Sequence, residues 1–208
     1  MNPGGKLPEN SSPEYLIYID ASRCVACKSC EIACAVEHSE SKTLVQAVFE
    51  SPKPRPRVKV VVAATLTVPM RCMHCDPAPC IEVCPTKAMY RVEEGYVLSD
   101  PVKCIGCRAC LIACPFGHPA YSPELKVIKC DHCVERLRQG LPPACVEACP
   151  TGALRFSKAE ELLLEVKERK AAELVTGAVS PGVAYAKPPE KPSPISVIKE
   201  MYKPVRWI

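Results

Sequence analysis

Cysteine is the residue type whose number and spacing dictate a chemistry in this chain. Sixteen cysteines fall into four groups, with none left over. They are Cys24, Cys27, Cys30 and Cys34; Cys72, Cys75, Cys80 and Cys84; Cys104, Cys107, Cys110 and Cys114; and Cys130, Cys133, Cys145 and Cys149. Each group opens with C-x2-C and closes with C-x3-C. Three thiolates spaced by two residues can curl around one corner of an iron-sulfur cubane, each on a different iron. The fourth iron then needs a sulfur from elsewhere, and in the two-cluster run C-x2-C-x2-C-x3-C-P the last cysteine serves the other cluster. Groups one and three have this spacing, and groups two and four keep it with a longer loop before the third cysteine. Zinc, commonly held by two C-x2-C pairs, is the rival reading, and CMHC and CDHC fit it locally. Three cysteines within seven residues, twice over, is an awkward zinc arrangement.

These sulfurs must be presented by short helices. Positions i and i+4 share a helix face, so Cys30/Cys34, Cys80/Cys84, Cys110/Cys114 and Cys145/Cys149 each offer two sulfurs side by side. A helix lying between two clusters can feed one sulfur to each. Pro85, Pro115 and Pro150 follow the last cysteine of three groups and disfavour further helix. Ala35 follows Cys34, so that helix is expected to run one turn longer. Strands are expected at Tyr15 to Ile19 and Tyr96 to Leu98. Between groups one and two, a Pro- and Arg-rich bend (SPKPRPR, 51–57) precedes VKVVVAATLTV, a β-branched run expected to pair with the stretch around TLVQAVF. After TGALRF, Ser157 and Glu160 form a capping-box pattern before a helix over 157–176, ended by Gly177 and Pro181.

Composition supports a core organised by something other than side chains. There are three Phe, one Trp and 23 Pro in 208 residues. The formal charge of +4 becomes about −4 once four clusters of about −2 each are counted. The basic excess then reads as internal compensation, with Arg23, Lys28, Arg71, Lys103, Arg108, Lys129 and Arg136 all near cysteines. Too few aromatics accompany them for a nucleic-acid surface. The N-terminus lacks an apolar leader pattern and a twin-arginine pair, which points to the cytoplasm, where eight disulfides would not persist. The longest apolar run, Val60 to Met70, is about half the roughly 20 residues of a spanning helix. His74 and His132, between paired cysteines, read as donors to cluster sulfur or as exposed; His38 and His118 show no sign beyond a loop or surface role. Without a phosphate loop, a catalytic triad or an open metal motif, the chain reads as an electron-transfer protein rather than an enzyme.

The four groups, in order and with their long loops, resemble the four-cluster ferredoxin-like iron-sulfur subunits that serve molybdenum and tungsten oxidoreductases, formate dehydrogenases, hydrogenases and carbon monoxide dehydrogenase. CMHCDPAPCIEVCPTKAM, CIGCRACLIACPFG and KCDHCVERLRQGLPPACVEACPTGAL are similar to that family's second, third and fourth motifs. CKSCEIACAVEHS is most similar to the branch with the carbon monoxide dehydrogenase ferredoxin subunit and subunits of tungsten aldehyde oxidoreductases. The resemblance implies an α+β fold of two fused ferredoxin-like modules carrying four [4Fe-4S] clusters in nested sets. Cys24, Cys27 and Cys30 would bind with Cys149; Cys130, Cys133 and Cys145 with Cys34; Cys72, Cys75 and Cys80 with Cys114; and Cys104, Cys107 and Cys110 with Cys84. Spacing by itself leaves open the pairing of group one with two and three with four. Lys87, where the fourth group has Gly152, departs from the pattern, as does the missing proline after Cys34.

The expected organisation is an N-terminal extension (1–14), a four-cluster domain (15–156) with an insert (40–70), a helix (157–176) and a Pro-rich C-terminal arm (177–208). The expected role is to relay single electrons between a catalytic oxidoreductase subunit and a carrier or second subunit. The catalytic partner would be a tungsten or molybdenum pterin enzyme or a nickel-iron-sulfur enzyme, and the second subunit flavin/NAD- or ferredoxin-linked. Self-association is a further partner class; nucleic acid and direct membrane insertion are not expected. A free polyferredoxin and a zinc-stapled interaction module are the alternatives.

Overall fold

The computed structural model describes residues 13–63 and 66–176. The chain divides into two compact units, residues 1–162 and 163–208; all sixteen cysteines lie in the first. Its elements are β1 (Tyr15–Ile19), α1 (Ser29–Glu37), α2 (Leu44–Ala47), β2 (Lys59–Ala63), β3 (Leu66–Met70), α3 (Pro79–Glu82), β4 (Met89–Arg91), β5 (Val97–Ser99), α4 (Ala109–Ala113), β6 (Ala120–Tyr121), β7 (Val127–Ile128), α5 (Val134–Arg138), α6 (Ala144–Glu147) and β8 (Leu154–Lys158). A last helix, α7 (Ala159–Val175), begins in the first unit and continues into the second. The fold is α+β, built from short helices and small antiparallel sheets.

Four two-stranded sheets pair β1 with β8, β2 with β3, β4 with β5, and β6 with β7. The first joins the two ends of the cysteine-bearing region, with Tyr15 opposite Lys158 and Ile19 opposite Leu154. The other three join neighbours in sequence. Helix α1 packs on α6 and α3 on α4, so cysteine helices of group one meet those of group four, and group two meets group three. Two small apolar clusters follow the same division. One contains Ala88, Met89, Val97 and Val127 with Cys104 and Cys110. The other contains Ile17, Val58 and Leu154 with Cys30, Cys34 and Cys145.

Several local expectations need correction. The run after the Pro-Arg bend does not pair with TLVQAVF; it supplies both β2 and β3, with Val61 opposite Val68. Its β-branched residues suffice for two strands, and a local pair closes a much shorter loop than one reaching back to residue 43. TLVQAVF instead folds as the one-turn helix α2, burying Ala47 and leaving Leu44, Val45, Val48 and Phe49 exposed. Ser157 does not cap α7, because it is held in the β1–β8 ladder opposite Leu16, and its hydroxyl bonds Glu161 rather than meeting Glu160. The Tyr96–Leu98 strand is displaced by one residue, to Val97–Ser99. The expected stop at Gly177 and Pro181 and the C-terminal arm lie outside the described residues. Among the described residues, no helix is long and apolar enough to cross a membrane.

Candidate metal centres

The helix ends follow the prolines. Helices α3, α4 and α6 carry Cys80, Cys110 and Cys145 but stop before Cys84, Cys114 and Cys149. Cys114, before Pro115, is extended at φ −76°, ψ 115°, as the ring of a following proline requires. Helix α1, with no proline, includes both Cys30 and Cys34 and runs on to Glu37, as Ala35 predicts.

Within the C-x2-C pair that opens each group, the residue before the second cysteine has positive φ: Ala26 at 57°, His74 at 49°, Gly106 at 71° and His132 at 60°. Only one of these is the glycine that such a conformation favours. At Gly106 a Cβ would lie 2.7 Å from the carbonyl oxygen of Leu125, so that position excludes any other residue. A left-handed residue in a tight turn gathers backbone N–H groups into a concave nest, a shape that receives anions, iron-sulfur clusters among them. Three N–H groups already point to sulfur: Arg57 to Cys34 Sγ (3.2 Å), His74 to Cys72 Sγ (3.5 Å) and Val127 to Cys104 Sγ (3.4 Å).

The cysteines gather across groups. One enclosed cavity is lined by Cys72, Cys75, Cys80 and Cys114 with His74 and His118. A second is lined by Cys84, Cys104, Cys107 and Cys110 with Tyr121. Burial pushes the Cys133 thiol up to about 12, and Asp131, Cys130 and Cys34 add to it. Cys145 is pushed up by burial and by the same thiolates, Cys130, Cys34 and Cys133. Burial raises Cys30 to about 11, with Cys149 and Cys27 contributing. Cys24 is half-buried, and Cys27 and Cys107 are exposed. Thiolates packed together away from water repel one another and hold protons; a cation among them reverses that balance and displaces the protons. The donor sets therefore suit a thiolate-ligated, iron-bearing group.

The charged surroundings suit an anionic one. Arg71 and Lys129 are 4% and 3% exposed. The Arg71 guanidinium donates to the carbonyls of Cys72 (2.7 Å) and Ile17, and the Lys129 ammonium to those of Val97 (2.5 Å) and Cys130 (2.6 Å). Buried cations need a counter-charge, which a cluster of about −2 supplies. Arg71 Nε, His74 Nε2 and both ring nitrogens of His132 are buried without a hydrogen-bond partner. Of the other basic residues near cysteines, Arg23, Lys28, Lys103 and Arg108 are exposed, and Arg136 pairs with Glu37 and Glu147.

The histidines depart most from expectation. His74 and His132 are neither exposed nor bonded to sulfur through their rings; they are 3% and 2% exposed. Their rings meet edge-on at 4.9 Å, and Tyr96 stacks on His132 at 4.1 Å. Burial, reinforced by the charges of Arg71 and Lys129, lowers His132 to about 3, so both it and His74, lowered further, are neutral. His38 is not a surface residue. Its N–H caps α1 onto the Cys34 carbonyl, its Nδ1 lies 3.7 Å from Cys34 Sγ, and its Nε2 is 3.1 Å from Asp131, which also pairs with Arg57 at 2.6 Å. Burial opposes its charge, but the Asp131 and Cys34 contacts prevail and raise it to about 9. His118 lines the Cys72 cavity. Thr86 and Thr151 each place a hydroxyl 3.8 Å from the sulfur two residues before, Cys84 and Cys149. The repeated Cys-Pro-Thr is the sequence signal for that contact.

Comparison with known proteins bears on the same chemistry. Residues 63–159 match the 4Fe-4S dicluster domain family. The protein is 36% identical over 184 residues to a chain of the anaerobic dimethyl sulfoxide reductase of Escherichia coli (strain K12), covering 84% of this sequence and 86% of that one. It is 39% identical over 152 residues to the thiosulfate reductase electron transfer subunit PhsB of Salmonella typhi (71% and 78%). It is 37% identical over 172 residues to an iron-sulfur protein of Rhodospirillum rubrum (76% and 90%). Sixteen cysteines of this pattern, in such company, bind multiple [4Fe-4S] clusters rather than zinc.

Proposed function

Because the chain belongs to the family of [4Fe-4S] electron-transfer subunits of oxidoreductase complexes, we propose that it holds four such clusters and carries single electrons between a catalytic subunit and a carrier or second subunit. The clusters, when bound, supply one-electron redox chemistry. The chain's own residues hold them, exclude water and set their surroundings. We assign the ligands in nested sets: Cys24, Cys27, Cys30 with Cys149; Cys130, Cys133, Cys145 with Cys34; Cys72, Cys75, Cys80 with Cys114; and Cys104, Cys107, Cys110 with Cys84.

The observation that carries this reading is the gathering of cysteines across groups, one with four and two with three. The matching division of the apolar clusters favours two fused ferredoxin-like modules within residues 15–156. In this reading the 40–70 insert braces the first module through Arg57. Relatives named for dimethyl sulfoxide and thiosulfate reductases favour a molybdenum or tungsten pterin enzyme as catalytic partner over a nickel-iron-sulfur one. The working compartment in this reading is the cytoplasm.

Anaerobic purification followed by iron and acid-labile sulfide assays tests it. About sixteen irons and as many sulfides per chain are expected from four cubanes. A few zincs with no labile sulfide would overturn the reading.

A further inference from the structure

A basic residue stands immediately before the first cysteine of every group: Arg23, Arg71, Lys103 and Lys129. The repeat gives these four the same covalent setting, yet the fold treats them differently. Arg23 and Lys103 are exposed, whereas Arg71 and Lys129 are almost fully buried. The two buried ones also reach across the molecule reciprocally. Arg71, of group two, donates to Ile17 in β1, the strand paired with β8 beyond group four. Lys129, of group four, donates to Val97 in β5, the strand between groups two and three. The same two groups also meet in the His74–His132–Tyr96 ring stack, whose histidines come from inside their C-x2-C pairs.

We propose that Arg71 and Lys129 form a buried cationic bridge that raises the reduction potentials of the two clusters meeting at this junction, those of Cys72/Cys75/Cys80/Cys114 and Cys34/Cys130/Cys133/Cys145, above the potentials of the two outer clusters. This rests on the nested four-cluster reading above. The physical ground is that reduction adds a negative charge, and a cation fixed in a water-poor site stabilises that charge far more than an exposed one does. Salt screens Arg23 and Lys103 at the surface but not the buried pair. The inner pair of clusters is then an electron sink in mid-chain, flanked by clusters from which electrons enter and leave.

The test is an anaerobic, EPR-monitored redox titration of the full cluster-loaded chain, with signals assigned through Cys→Ser substitutions. Arg71→Met and Lys129→Met are each expected to lower the midpoint potentials of the two junction clusters and leave the outer two unmoved. Arg71→Lys and Lys129→Arg, which keep the charge, should titrate like the unsubstituted chain. Potentials unmoved in the Met variants, or all four shifted alike, would overturn the inference. Should the Met variants lose iron, full iron in the charge-keeping variants supports the bridge, and loss in those as well overturns it. An unsubstituted chain with markedly fewer than about sixteen irons sinks the four-cluster reading itself, whereas full iron with unmoved potentials sinks the inference alone.

Discussion

Cys34 shows what a single ligand position needs around it. Its sulfur accepts the Arg57 N–H and neighbours His38, and His38 is in turn clamped by Asp131, next to Cys130. The contacts of Cys34 thus lead to group four, not to the rest of group one. Cys34→Ser should remove the cluster of Cys130, Cys133 and Cys145 and spare that of Cys24, Cys27 and Cys30. Mössbauer or EPR spectra of the variant check this, and loss of the Cys24 cluster instead would contradict the nested sets. The cysteines themselves were legible from type and spacing, because thiolate geometry around a cubane is strict. His38 was not, since its carboxylate partner is 93 residues away and nothing local announces the contact. The one usable hint is that His38 lies four residues after Cys34 at the end of a helix that has no proline to stop it.

Helix α1 carries that hint at the next scale. The absent proline predicted its extra turn, and the extra turn is what delivers His38. Placing a proline there, Ala35→Pro, as in the other three groups, would remove the N–H of residue 35 and press its ring on the preceding turn. We expect a loss of about 3 kcal/mol, read by anaerobic chemical denaturation, together with loss of the His38–Asp131 contact in the NMR spectrum of the histidine ring. Where pattern reading failed, the reason was competition between partners. The β-branched run after the bend has strand character, as expected, but character does not choose a partner; the short loop within the run does. Ser157 and Glu160 matched a capping pattern, yet strand pairing with Leu16 took Ser157 first. The left-handed residues inside the C-x2-C pairs were visible only at Gly106, because Ala26, His74 and His132 adopt that conformation against their own preference.

Across the whole molecule, the scarcity of large side chains foretold the interior. Two small apolar clusters, each partly made of cysteine, form among the described residues, and Arg71 and Lys129 are buried as well. Removing the clusters therefore removes both the cross-links and the counter-charge, and leaves two buried cations, each a penalty of several kcal/mol. Stripping iron and sulfide with chelator under reducing conditions should abolish the cooperative thermal transition in far-UV circular dichroism and enlarge the hydrodynamic radius. An apoprotein that melts cooperatively near the holoprotein's temperature would show that the side chains suffice. That the chain binds multiple clusters could be anticipated by counting cysteines, but which groups lie against one another could not, because both pairings satisfy the same spacing.

The β1–β8 sheet sets a timetable for biosynthesis. Strand β1 emerges from the ribosome first, but its partner begins at Leu154, and at about 5–20 residues per second the wait is on the order of ten seconds. Throughout that interval the earliest thiols hang on an unclosed nascent chain, open to whatever delivers iron and sulfide. Groups two and three, joined by local strands, can mature while translation continues; groups one and four can only close after it has passed them.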